Sequence, residues 1–232
     1  MNWGHCSKKI LFLFIILIAG GGACAAHAAP VPASGAYISW STNTYTPPFF
    51  DGKKLPTAGS PVTAWVMVFS NGKAIDLSQD TIYWYADSNV LQSGVGDQKI
   101  SFNAQNTTEN ITNLQVSVQD PTGNLWNANI QVPVVNPKAA IETNYPGGVV
   151  TVSPAVATAL PYFFNTSNIS SLVYVWTVNG SSAQSSENPQ EADITISDST
   201  PSGTNLNIQV SITNSSDGTS ANASTNLIYQ KL

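Results

Sequence analysis

Beyond residue 27 the chain has no cysteine and no histidine, and it has no arginine anywhere in its 232 residues. Each absence removes a class of function. A Ser-His-Asp or Cys-His nucleophile system needs an imidazole, and zinc and copper sites draw on His or Cys. Eight lysines against thirteen acids cannot coat a phosphate backbone, so nucleic acid is not an expected partner. No disulfide can staple a fold built after Cys24, so each core has to hold by burial alone. The acids are scattered, and they show neither the alternate spacing of a calcium loop nor the facing pair of a glycosidase. No cofactor and no metal are expected. A helical apolar period over two turns is also missing after the first thirty residues.

Those first residues read as an export signal. Lys8 and Lys9 precede the apolar run Ile10–Gly22, and "AHA" (Ala26–Ala28) offers small residues where a signal peptidase reads. Cleavage after Ala28 would leave Ala29 as the mature N-terminus. It would remove both cysteines and both histidines and leave six lysines against thirteen acids, a net charge of about −7. The other readings are an uncleaved anchor, in which case this segment is the only membrane contact, and lipid attachment at Cys24. The expected location is secreted or cell-surface.

What the remainder holds is short runs of Val, Ile, Tyr, Trp and Thr punctured by Pro and Gly, the pattern of an all-β chain. The runs repeat. "NLQVSVQD" (Asn113–Asp120) returns as "NIQVSITN" (Asn207–Asn214), "TIYWYADSN" (Thr81–Asn89) as "LVYVWTVNG" (Leu172–Gly180), and "KISFNA" (Lys99–Ala104) as "DITIS" (Asp193–Ser197). Ordered similarity at a spacing near ninety-five residues is a domain duplication. The expected organisation is a signal peptide over 1–28 and two immunoglobulin-like β-sandwiches over 29–137 and 138–232, with "NPKAA" (Asn136–Ala140) as the linker. Strand alternation puts Tyr83 and Tyr85 on one face and Trp84 on the other. On an offset of ninety-one, Tyr85 and Trp176 take equivalent core places and Trp84 points outward.

"YVWTVNG" (Tyr174–Gly180) resembles the central segment of PKD-type domains, an Ig-like family frequent in exported proteins, although Val178-Asn179-Gly180 stands where that family has Gly-Asp-Gly. "TYTPPFFDGKKLPTAGSPV" (Thr44–Val62) with "SGVGDQKISF" (Ser93–Phe102) resembles a family of small secreted tandem Ig-like proteins of candidate-phylum bacteria. That resemblance implies an exported protein and brings no activity with it.

The most unusual stretch is the Thr44–Ser60 segment, which has no counterpart in the second copy. Tyr45, Phe49 and Phe50 read either as an aromatic contact patch, with Asp51, Lys53 and Lys54 beside them, or as a lid over an open end of the sandwich. Trp84 and Trp65 read as outward aromatics, suited to stacking a sugar ring or packing against another part of the chain. Seven Asn-X-Ser/Thr sites (Asn106, Asn110, Asn165, Asn168, Asn179, Asn214 and Asn222) read as loop composition. The leading expectation is a non-catalytic protein of the cell surface acting in adhesion, surface assembly or ligand binding, with a surface protein or glycan as partner. The alternatives are a carbohydrate-binding module and, remotely, a carboxylate-based hydrolase.

Overall fold

The computed structural model describes residues 34–105 and 110–232. The expected signal segment, the cut after Ala28 and the Asn106 site lie outside them.

The β-branched and aromatic runs form strands in two groups. The first group is β1 (Ser34–Thr42), β2 (Pro61–Ser70), β3 (Lys73–Ala74), β4 (Thr81–Ala86), β5 (Asn89–Val95), β6 (Lys99–Asn103), β7 (Ile111–Gln119) and β8 (Leu125–Pro133). In one sheet β2 lies between β1 and β6, with β3 as a short extension; the facing sheet runs β5-β4-β7-β8. The second group is β9 (Lys138–Thr143), β10 (Val149–Val150), β11 (Ala155–Tyr162), β12 (Leu172–Val178), β13 (Ser181–Ser182), β14 (Glu191–Ile194), β15 (Thr204–Asn214) and β16 (Ser220–Tyr229). Its sheets run β14-β11-β9 and β10-β16-β15-β12-β13, with β10 parallel to β16. Two layers in matching strand order make each group an Ig-like sandwich. Among the described residues there is no α-helix.

Alternation fills both cores. Val62, Ala64, Val66 and Val68 of β2 point inward, and Ile82 and Trp84 of β4 meet Leu114, Val116 and Val118 of β7. In the second sandwich Ala155, Ala157 and Ala159 face Trp176, Ile208, Val210 and Ile212. Small residues on one wall leave room for the ring on the other. Fully burying such a side chain is worth roughly 2–3 kcal/mol.

The expected placement of Trp84 is overturned. Trp84 is fully buried, while Tyr83 and Tyr85 lie on the outer face, half-exposed. The residue matching Trp176 is therefore Trp84, at an offset of ninety-two. Each pairs with a buried valine of the neighbouring strand, Trp84 with Val116 and Trp176 with Val210. Each indole Nε1–H donates to a carbonyl thirteen residues on, Trp84 to Asp97 at 2.8 Å and Trp176 to Pro189 at 3.2 Å. A one-residue slip moves a strand's whole set of side chains to the other face. The buried N–H needs an acceptor, and this register supplies one in each sandwich.

The turn after each tryptophan repeats too. Asp87 (φ 47°) and Asn179 (φ 50°) sit in the left-handed region that short polar side chains tolerate. The Asp87 carboxylate accepts the Asn113 N–H at 2.9 Å, and the Asn179 side-chain oxygen accepts the Asn207 N–H at 2.8 Å. The duplication thus extends to individual hydrogen bonds.

One further expectation changes. Lys138–Ala140, read as linker, opens β9 and pairs antiparallel with β11. Ser93–Val95, the start of the "SGVGDQKISF" motif, belongs to the edge strand β5.

One core group titrates unusually. Burial pushes the Tyr174 phenol up to about 12, with the nearby Tyr45 adding to the rise and the Gln190 side chain opposing it. The Tyr174 hydroxyl is buried and has no hydrogen-bond partner of ordinary geometry. A raised folded-state pKa on an acid means that ionisation favours the unfolded chain. Stability should therefore fall as pH rises from about 10 towards 12. Tyr174→Phe should flatten that part of a urea-denaturation series against pH. An unchanged alkaline slope would place the titration elsewhere.

Candidate contact site

The segment between β1 and β2 is held by its own polar groups. The Thr44 hydroxyl donates to the Leu55 carbonyl at 2.8 Å; the Ser60 hydroxyl donates to the Thr57 carbonyl at 2.7 Å and accepts the Thr57 N–H at 2.9 Å. The Val135 N–H reaches the Pro56 carbonyl at 2.9 Å, and the Phe50 N–H closes a turn onto the Pro47 carbonyl at 3.0 Å. Each tie satisfies a backbone group that a surface loop would otherwise leave to water.

Its rings divide between two roles. Tyr45 forms an isolated antiparallel bridge with Phe164 of the second sandwich: the Tyr45 N–H donates to the Phe164 carbonyl at 2.8 Å, and the Phe163 N–H donates to the Tyr45 carbonyl at 2.6 Å. Phe50 stands edge-to-face against Tyr162 (5.8 Å between centroids, 73°) and Phe163 (5.7 Å, 81°). Phe163 adopts φ 61°, costly for a bulky residue. The two adjacent rings serve different places: Phe163 meets Phe50, and Phe164 is fully buried in the second core. The expected alternatives were a contact patch or a lid; Tyr45 and Phe50 instead join the two sandwiches.

Phe49 is the exception, 60% exposed. Asp51, Lys53 and Lys54 are exposed beside it. The Lys53 Nζ lies 3.5 Å from the centroid of the Trp40 ring, and burial holds its pKa below the usual lysine value. A cation over an indole is attracted by the ring's negative face, which fixes the side of the turn next to Phe49. Trp84, the remaining expected contact residue, is in the core and cannot touch a partner.

Trp65 lies outward between buried Ala64 and Val66, as alternation requires, with the Lys99 Nζ 5.7 Å from its ring. Tyr37 and Phe69 meet edge-on at 5.8 Å on the same sheet face.

The acids bear on the hydrolase alternative. Asp80 is buried, and its pKa is raised by desolvation and by the charges of Asp120 and Asp76. Neither neighbour is free. Asp76 accepts the Ser78 N–H and hydroxyl, and Asp120 accepts the N–H groups and side chains of Thr122 and Asn124. All three lie at turns, and none borders the depressions beside Ser181–Glu187, Tyr85 or Val175. Two of the Asn-X-Ser/Thr asparagines, read as loop composition, hold structure: Asn214 is fully buried and donates to the Asn165 carbonyl at 3.2 Å, while Asn179 holds the turn already described.

No protein-family model matches the chain, and no curated protein matches it. Solved structures do. The three N-terminal domains of the Highly Immunogenic Outer Capsid protein (Hoc) of bacteriophage RB49 align at 17% identity and a TM-score of 0.46, over 85% of this chain and 59% of that one. The fibronectin(III)-like modules of Clostridium thermocellum CbhA align at 14% identity and a TM-score of 0.30, over 84% and 95%. A 1.5-MDa bacterial ice-binding adhesin aligns at 12% identity and a TM-score of 0.32, over 86% and 67%. The Ig-like assignment stands on the sheet order and register above, and none of these likenesses adds a ligand or an activity to it.

Sequence reasoning missed Tyr162, Phe163 and Phe164. The signal was present: "PYFFN" (Pro161–Asn165) mirrors "PPFFD" (Pro47–Asp51), and the two segments meet.

Proposed function

We propose that this chain is an exported, non-catalytic binding protein of two Ig-like domains, 29–137 and 138–232, that attaches to a cell-surface partner through the tip of its Thr44–Ser60 segment. The observation that carries this reading is the exposed Phe49 ring on a loop pinned on both sides. An aromatic anchor whose support is already ordered loses little entropy on binding. Function in duplicated scaffolds concentrates in loops held by a rigid frame, and this loop is the part the second copy lacks. Asp51, Lys53 and Lys54 supply a rim of both signs around the ring.

The test is Phe49→Ser. Phe49 is mostly exposed, so stability should move by no more than about 0.5 kcal/mol. Retention of the purified chain on isolated cell envelopes of its native host should fall by roughly tenfold or more, about 1.4 kcal/mol of binding. Full retention by a normally melting variant would remove Phe49 from the contact.

A further inference from the structure

The sheet β5-β4-β7-β8 presents its outer face to solvent, and not one of its four strands contains a charged residue. At its centre Tyr83 and Tyr85 stand side by side on β4, about 7 Å apart by the strand repeat. Tyr85, Gln115, Ser117, Asn127 and Asn129 border a shallow depression of about 330 Å³. Asn127 and Asn129 are exposed, as is Gln115.

The second sandwich supplies an internal comparison. Its equivalent face has a depression of about 400 Å³ bordered by Val175, Thr177, Gln209, Ser211, Asn222 and Ser224. Register equates Tyr83 with Val175 and Tyr85 with Thr177, so the rings are confined to the first copy. The amides differ too. In the second copy Gln209, the match of Gln115, donates through Nε2 to Asn207 Oδ1 at 2.6 Å, Ser224 stands in place of Asn129, and Asn222 matches Asn127. In the first copy the side chains of Gln115, Asn127 and Asn129 make no hydrogen bond to another described residue. Duplication therefore gave two like frames: the first carries both rings and three unbonded amides, and the second carries no ring and, at Asn222, one unbonded amide.

From this difference we infer that the outer face of β4, β7 and β8 binds a neutral glycan chain, with Tyr83 and Tyr85 stacking sugar rings and Gln115, Asn127 and Asn129 reading hydroxyls. A pyranose has an apolar C–H face that packs on an aromatic ring. Its hydroxyls both donate and accept, and primary amides, which also do both, match them where lysines and carboxylates cannot. A face without charge offers nothing to a sulfated or uronic polymer. The depression is open and shallow, which fits a chain lying across the strands better than a small molecule enclosed by walls. This site is separate from the Phe49 loop and does not depend on it.

The test probes the full chain with an array of neutral gluco-, manno-, galacto- and N-acetylglucosamine oligosaccharides beside sialylated and sulfated ones. Binding to at least one neutral class is expected. The double variant Tyr83→Val/Tyr85→Thr installs the residues the second copy carries in the same frame and should weaken that binding at least tenfold. Gln209→Ala on the second face should leave it unchanged, and so should Phe49→Ser, which separates this inference from the loop reading. If the double variant melts early, Gln115→Ala and Asn129→Ala should each weaken binding with the rings in place. No neutral ligand, preference for sulfated chains, or binding indifferent to both sets of variants would overturn the assignment.

Discussion

Replacing Trp84 with alanine should cost about 3–5 kcal/mol and unfold the first sandwich at temperatures where the second survives. The ring is fully buried, and its N–H is matched to the Asp97 carbonyl. Truncation leaves a cavity walled by β-sheet residues that cannot collapse into it, and it strands that carbonyl. A domain of this size has only about 5–15 kcal/mol to lose. Trp176→Ala should do the same to the second sandwich. Tyr85→Ala, at a half-exposed outer position, should cost about 1 kcal/mol. Urea titrations of the three variants by circular dichroism would separate these outcomes. A larger loss at Tyr85 than at Trp84 would mean that the strand faces are reversed.

The second large effect belongs to Phe50→Ser. Its ring lies against Tyr162 and Phe163, and each such edge-on pair contributes about 0.5–1.5 kcal/mol beyond the area it buries. Removal should cost about 2–3 kcal/mol, and the loss should fall on the coupling between sandwiches more than on either core. Calorimetry should then show two separate transitions where the intact chain shows merged ones. Gly52→Ala should act in the same direction, because a Cβ there would collide with the Phe50 ring. To move aside, that ring would have to give up its contacts with Tyr162 and Phe163. A single unshifted transition in Phe50→Ser would show that the two sandwiches are coupled elsewhere.

Much of this architecture was legible in the residues. The runs of Val, Ile and Thr announce strands, and β6 and β12 fall within the repeated runs "KISFNA" and "LVYVWTVNG". The duplication was legible because "QVS" recurs where two buried strands face the same ring. Register was lost at one step, when "YWY" was laid on "YVW" by its tyrosine instead of its tryptophan. Matching Asp87-Ser88 with Asn179-Gly180 as turn residues would have set the offset correctly. The edge strand β5 was hidden because an exposed edge carries no alternation: all but one of its residues are solvent-exposed. The junction was hidden for another reason. Tyr45 and Phe50 find their partners more than a hundred residues away, and no local period encodes that meeting.

The same limit applied to the candidate sites. Composition argues against imidazole chemistry and phosphate recognition, and Asp76, Asp87, Asp120 and Asp217 hold turns through their carboxylates. Which aromatics remain outside depends on register and packing. Phe49 is exposed, Tyr45 and Phe50 join the two sandwiches, and Tyr83 and Tyr85 exchange places with Trp84.

Hydrogen–deuterium exchange on the full chain, free and retained on isolated cell envelopes of its native host, tests the central claim most directly. Attachment through the loop tip predicts added protection at the backbone amides of Phe49–Lys54, with the outer strands of the second sandwich unchanged. Protection confined to β12, β15 and β16, or none at 49–54 in retained protein, would contradict it.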